Sequence, residues 1–131
     1  MVTVVLLVLA LFVLQTLLPG RFREAPGPGS PSKISLDLGP RDRMPQLTVI
    51  GGRAQRALAN MQEALPVFLA LALMNMIVAP NAATAINGAW IFLAARAVYL
   101  VLYVTGVPVA RTIVWLIGWV GLAMMIRPLL Q

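Results

Sequence analysis

Arg53, Arg56, Asn60 and Glu63 recur at spacings of three, four and three. At 100° per residue they share a stripe about 80° wide on one helix face. Arg96, Tyr99 and Tyr103 repeat the pattern at spacings of three and four, and Arg111 follows after a short Gly106 turn. With Arg53 near a membrane interface, Glu63 lies roughly 15 Å deeper by helix rise, where an ionised carboxylate costs several kcal/mol unless a cation meets it. Arg56, Arg96 and Arg111 are positioned to converge from three helices or from neighbouring subunits. Three arginines against one glutamate leave surplus positive charge in a low-dielectric setting, and that surplus calls for an anionic ligand. A competing reading makes the cluster structural, with Glu63 paired to Arg56 or Arg96 to hold helix register and the tyrosines in the interfacial belt.

Other chemistries are excluded by residue type. The chain has no cysteine and no histidine, so it builds no disulfide, thiolate zinc site, histidine-ligated haem, cysteine nucleophile or Ser-His-Asp triad. Its four carboxylates are Glu24, Asp37, Asp42 and Glu63, three of them in one hydrophilic stretch, so no metal cage is expected within the helices. The net charge of +6 does not indicate nucleic acid, because the basic residues are not interleaved with exposed aromatics.

The elements that carry these residues follow from composition. Of 131 residues, 60% are hydrophobic and 11% charged, far from the roughly 25% charged residues of soluble domains. The expectation is one all-α domain, a transmembrane four-helix bundle whose first partner is the lipid bilayer. Residues 1–18 form an apolar run read as the first span, with a cleaved leader the weaker reading because no basic segment precedes it. Residues 19–45 are rich in proline, glycine and charge, a connecting loop whose composition cannot support a packed core. A long helix is predicted over 46–79, with Pro66 inside it and a polar first half, and Pro80-Asn81 marks a turn with Asn81 as the cap of the next helix. Spans three and four are predicted over 82–104 and 107–126, adjacent and antiparallel about Gly106-Val107-Pro108. Gly88, Ala89, Ala94, Ala95 and Ala97 on the third, and Gly118, Gly121 and Ala123 on the fourth, allow close backbone approach.

Arg21, Arg23, Lys33, Arg41, Arg43, Arg53 and Arg56 cluster in or beside the first loop, whereas the turn between spans two and three has no basic residue. The first loop is therefore expected to be cytoplasmic and both termini on the opposite side, in a bacterial inner membrane. Trp90, Trp115 and Trp119 read as lipid-facing or interfacial anchors, and Met74, Met76, Met124 and Met125 as packing residues.

The segment from Arg53 through Arg56, Asn60 and Glu63 to Pro66 resembles the signature of the MAPEG family (membrane-associated proteins in eicosanoid and glutathione metabolism). Arg96, Tyr99, Tyr103 and Gly106-Val-Pro108-Val-Ala-Arg111 extend the resemblance from about residue 46 to the end. It implies a homotrimer that holds glutathione between neighbouring subunits near the cytoplasmic face. Carried over by position, Arg56, Asn60 and Glu63 bind the glutathione backbone with Arg53 nearby; Arg96, Tyr99 and Tyr103 complete the pocket, and Arg111 faces the sulfur. The chemistry is coherent: glutathione offers two carboxylates to arginines, an ammonium to Glu63, and a thiol whose pKa of about 8.5 a guanidinium lowers. The thiolate then attacks a lipophilic electrophile arriving through the bilayer, or reduces a lipid hydroperoxide.

The chain departs from the family pattern where Gly52 replaces a frequent acidic residue and Leu58 a frequent histidine, and Thr112 stands where some relatives have serine. These positions bear on the particular reaction. A non-catalytic binding or scaffold protein on the same fold is the alternative, and a transporter is a weaker one because no inverted repeat is visible.

Overall fold

The computed structural model describes residues 1–25, 27–29, 39 and 44–130. Four helices among them are long and apolar enough to cross a membrane: α1 (Val2–Arg21), α2 (Val49–Val78), α3 (Ala83–Thr105) and α4 (Pro108–Ile126). A 3₁₀ turn, Arg127–Leu130, follows α4. At 1.5 Å per residue the 30 residues of α2 reach roughly 45 Å, longer than a hydrocarbon core of about 30 Å. Its polar first turns therefore extend toward the interface while Ala64 and the residues beyond lie deeper.

Two local expectations need correction. Proline and glycine at 19 and 20 do not end α1, which continues to Arg21 and closes with the Phe22 N–H on the Pro19 carbonyl at 3.2 Å. Proline lacks its own N–H and so forfeits one intrahelical hydrogen bond, but its φ is compatible with the helix, which runs on past it. Asn81 is exposed and does not cap α3; Ala82 is the N-cap, and its own N–H turns back to the Ala79 carbonyl at 3.0 Å.

The α3–α4 junction is as its residues dictate. Gly106 adopts φ 85°, a left-handed conformation, and the N–H groups of Gly106 and Val107 both donate to the Leu102 carbonyl at 3.0 Å. Glycine adopts that conformation without a Cβ penalty, and Pro108 opens α4 with its φ already helical. Farther along, α3 and α4 meet backbone to backbone: a Cβ on Gly88 would stand 2.5 Å from the Gly121 carbonyl oxygen. Phe68 of α2 and Phe92 of α3 stack at 4.7 Å between ring centres, and Val4 and Val8 of α1 pack into the same core.

Polar groups fix both ends of the bundle. Buried Asn75 donates through Nδ2 to the Leu71 and Met125 carbonyls, each at 2.8 Å, and so ties α2 to the end of α4. At the opposite end, Arg23 and Leu47 form an antiparallel bridge, Arg23 Nη1 donates to the Pro45 carbonyl at 2.7 Å, and the Glu24 N–H donates to the Gln46 carbonyl at 2.9 Å. Thr48 completes this clasp. Its N–H and hydroxyl both donate to the Phe22 carbonyl at 2.9 Å, while its hydroxyl oxygen accepts the Gly51 N–H at 3.2 Å and caps α2. Lys33, Arg41 and Arg43, counted above as topology determinants, lie outside the described residues. Thr48→Val removes the cap and one strand of the clasp together; the expected cost is about 1–2 kcal/mol, read as a lower thermal midpoint in detergent. An unchanged midpoint would mean that the clasp does not hold α1 to α2.

Candidate functional site

The helical positions on α2 decide which of its polar residues enter the bundle. Ala54, Ala57, Met61, Ala64 and Phe68 are buried and mark the inward direction. Relative to the centre of that face, Arg53 and Asn60 are displaced by about 60–80°, and Arg56 and Glu63 by about 120–140°. The side chains follow: Arg53 and Asn60 are half-buried at the edge, whereas Arg56 and Glu63 are exposed on the outer surface of the chain.

Arg53 reaches the α3–α4 turn. Its Nη1 donates to the Val104 carbonyl at 3.3 Å, and its guanidinium packs where a Cβ on Gly106 would fall. A cation against the unpaired carbonyls of a helix C-terminus is favourable by roughly 0.3–1 kcal/mol, so Arg53 braces the turn that carries α4.

Arg96 is only 2% exposed, and its partner is Asn60 rather than Glu63. Nη1 donates to Asn60 Oδ1 at 2.6 Å, and the guanidinium carbon stands 5.0 Å from the Phe92 ring centre and 5.9 Å from that of Tyr99. Nε and Nη2 find no hydrogen-bond partner among the described residues. With its oxygen engaged, the Asn60 amide retains its two N–H donors for the cavity. Arg96 thus acts on the cavity through Asn60.

The aromatic groups continue outward from Arg96. Tyr99 and Tyr103 are tilted at 57° with centres 5.4 Å apart, and the Arg111 guanidinium carbon lies 4.5 Å from the Tyr103 ring centre. The Tyr99–Tyr103 ring pair is thus flanked by two cations, Arg96 against Tyr99 and Arg111 against Tyr103, each guanidinium held against an electron-rich face. One rim of a cavity of about 190 Å³ results, lined by Asn60, Tyr99, Arg111, Thr112 and Trp115.

Of the residues singled out by spacing, Asn60, Tyr99 and Arg111 line this cavity directly. Tyr103 supports Arg111 and Arg96 supports Asn60. Arg53 is engaged at the turn, and Arg56 and Glu63 face outward. Trp115 also lines the cavity, although an indole in an apolar span reads as a lipid-facing or interfacial anchor. The signal was its spacing of four from Arg111, which places both on one face of α4. Trp90 and Trp119 are 46% and 42% exposed, as lipid-facing residues would be.

The arrangement of Arg56, Asn60, Glu63, Arg96, Tyr99, Tyr103 and Arg111 on three helices is accompanied by a match over nearly the whole chain: the model of the MAPEG family covers residues 1–130. The chain belongs to the MAPEG family. No curated protein and no solved structure matches it, so membership rests on the family model. With four apolar helices, this MAPEG protein is an integral, multi-pass membrane protein. Its membrane setting gives the outward Arg56 and Glu63 their significance, because charges on the outer face of a spanning helix demand a polar neighbour.

Proposed function

We propose that this MAPEG protein is a glutathione-dependent membrane transferase or peroxidase that acts on lipophilic electrophiles or hydroperoxides. The observation that carries the reading is the cavity in which Arg111, seated on Tyr103, faces the Asn60 amide and the Tyr99 and Thr112 side chains within an apolar bundle. These donors suit a ligand of carboxylates, peptide carbonyls and a thiolate. Arg56 and Glu63 supply the rest of the peptide site from the outer face of α2, completed by a neighbouring chain in a homotrimer. The first loop is cytoplasmic and both termini lie across the membrane, which places the cavity at the cytoplasmic end.

In the transferase reaction the thiol proton passes to water, the sulfur lone pair forms a bond to the electrophilic carbon, and the leaving group departs with its bonding pair. In the peroxidase reaction two glutathione molecules reduce one hydroperoxide to an alcohol and water and become the disulfide. Arg111 stabilises the sulfur anion in both. Asn60, held by Arg96, fixes the peptide.

Calorimetry on the detergent-solubilised protein is expected to show saturable glutathione binding, weakened roughly tenfold in Glu63→Gln through loss of a charge-assisted contact worth about 1.5 kcal/mol. Absence of heat at millimolar glutathione removes the proposal. A second reading is favoured by Arg96, whose hydrogen bond and ring contacts are all internal: the polar residues brace a non-catalytic binding or scaffold protein. That reading prevails if Arg56→Ala and Glu63→Ala dissociate the oligomer while the wild type turns over no electrophile.

A further inference from the structure

We propose that Arg53 is a positioning residue: by holding the α3–α4 turn against α2 it sets where Arg111 stands in the cavity, without touching the ligand itself; this rests on the thiol-transfer reading above. The last carbonyls of a helix have no partner within it, so each needs a donor from elsewhere. At the end of α3 the Leu102 carbonyl accepts the Gly106 and Val107 N–H groups, each at 3.0 Å, and the Val101 carbonyl accepts the Thr105 hydroxyl at 2.9 Å. The Val104 carbonyl is served from another helix, by Arg53 Nη1 at 3.3 Å. The guanidinium also fills the space beside Gly106, where a Cβ would stand 2.5 to 2.8 Å from its Nη1, Cζ and Nη2 atoms. Glycine is therefore required there twice, for its φ of 85° and for the room it leaves to Arg53. Among the described residues, the hydrogen bonds that link α2 with the α3–α4 pair are those of Arg53, Asn60 and Asn75, and only that of Arg53 lies at the turn.

The turn is short enough to transmit a shift. Val107 alone separates Gly106 from α4, and Arg111 follows Pro108 by three residues, about 4.5 Å along the helix. The first turn of α4 is stiff, because Pro108 fixes its own φ and the Thr112 hydroxyl donates to the Pro108 carbonyl at 3.3 Å. On α3, Tyr103 carries the ring against Arg111 and immediately precedes Val104. The ring that seats Arg111 and the carbonyl that seats Arg53 are thus neighbours in the chain. The cavity is lined by Arg111 and Thr112 but not by Arg53. Release of Arg53 leaves the Val104 carbonyl without its side-chain donor, loosens the turn and lets Arg111 leave its place on Tyr103.

Two substitutions break this contact from opposite sides. Arg53→Met removes the guanidinium, whereas Gly106→Ala keeps its charge but takes its place. The first readout needs no thiol: modification of Arg111 by phenylglyoxal in detergent, followed by mass spectrometry, with buried Arg96 as the internal control for the fold. It is expected to run about three- to tenfold faster in either variant, as for loss of one hydrogen bond, and no faster in the double variant, because both remove the same contact. Arg53→Lys, which retains a donor for the Val104 carbonyl, is expected to stay within about twofold of the wild type. An unchanged rate in Arg53→Met, rates that multiply in the double variant, or a parallel rise at Arg96 overturns the proposal whether or not glutathione binds. The second readout is the rising limb of kcat/KM against pH, expected to move to higher pH in both variants. In Gly106→Ala the Arg53 charge is still present, so the shift there reports the place of Arg111 rather than a lost charge. Faster modification with an unmoved limb makes Arg53 a structural brace and also overturns the proposal. Faster modification without any glutathione binding sustains the hold on Arg111 and removes the thiol reading.

Discussion

Arg111→Ala is expected to lower kcat/KM for thiol conjugation by about 10- to 10²-fold while the protein remains folded. Because the sulfur is ionised before it attacks, the guanidinium acts by raising the ionised fraction of the bound thiol and holding the anion in place, a charge-assisted contact worth about 1.5–3 kcal/mol. Arg111 is half-buried on α4 and lines the cavity, and its guanidinium carbon stands 4.5 Å from the Tyr103 ring centre. The loss to the fold is far smaller, because a partly exposed cation–ring contact contributes about 0.5–1 kcal/mol. The pH profile gives a second readout whose sign follows from charge. A neighbouring cation favours the ionised thiol, so a thiol bound to the wild type is expected to ionise below its free value of about 8.5. Without Arg111 that ionisation moves up, and the rising limb of kcat/KM moves with it to higher pH. Arg111→Lys keeps the charge but not the planar group that lies on Tyr103, so it falls between the two. Conjugation rates across pH, with circular dichroism to check the fold, decide the matter. An unshifted limb, or a rate that survives in Arg111→Ala, sinks the role given to this residue.

The elements and the site were unequally legible in the sequence. Four spans could be read because twenty-residue apolar stretches have one stable form in a bilayer, and the Gly106–Pro108 stop and start because glycine and proline each suit one backbone conformation. Pro19 and Asn81 misled for a common reason: local propensity is small beside the rest of a long helix and its packing, so a helix outlasted its proline and a turn left its asparagine uncapping. Within the site, spacing alone placed Arg53, Arg56, Asn60 and Glu63 on one face, but not which edge of that face points inward. That depends on the inward alanines, Ala54, Ala57 and Ala64. Alanine carries little hydrophobic contrast, so the stripe of Ala54, Ala57, Met61, Ala64 and Phe68, though spaced by three and four, stands out only weakly from its neighbours. The same absence of contrast hid Trp115, whose indole is equally at home against lipid and against a cavity.

The alanines and glycines that obscure the inward face also set the width of the site, and one pair of substitutions tests this with opposite signs. A Cβ on Gly121 would stand 2.6 Å from the Gly88 carbonyl oxygen and 2.9 Å from the Phe92 nitrogen. Both are backbone atoms that no rotamer change moves aside, so Gly121→Ala has to push α3 and α4 apart. Tyr99 and Tyr103 ride on α3, and Arg111, Thr112 and Trp115 on α4; separating the helices strains the Arg111–Tyr103 contact and opens the cavity. The expected cost is about 1–3 kcal/mol from overpacking, with weaker glutathione binding, and more for Gly121→Val. Gly118, one turn earlier, differs. A Cβ there would meet the Ala95 methyl at 3.6 Å and Arg96 Nε at 3.8 Å, ordinary contact distances. Alanine is also the better helix former by about 1 kcal/mol, so Gly118→Ala is expected to hold or raise stability. Thermal unfolding of both variants in one detergent, with calorimetric binding alongside, separates backbone approach from a general need for glycine. Equal losses in the two would show that glycine itself, not the proximity of Gly88 and Gly121, governs the pairing of α3 with α4.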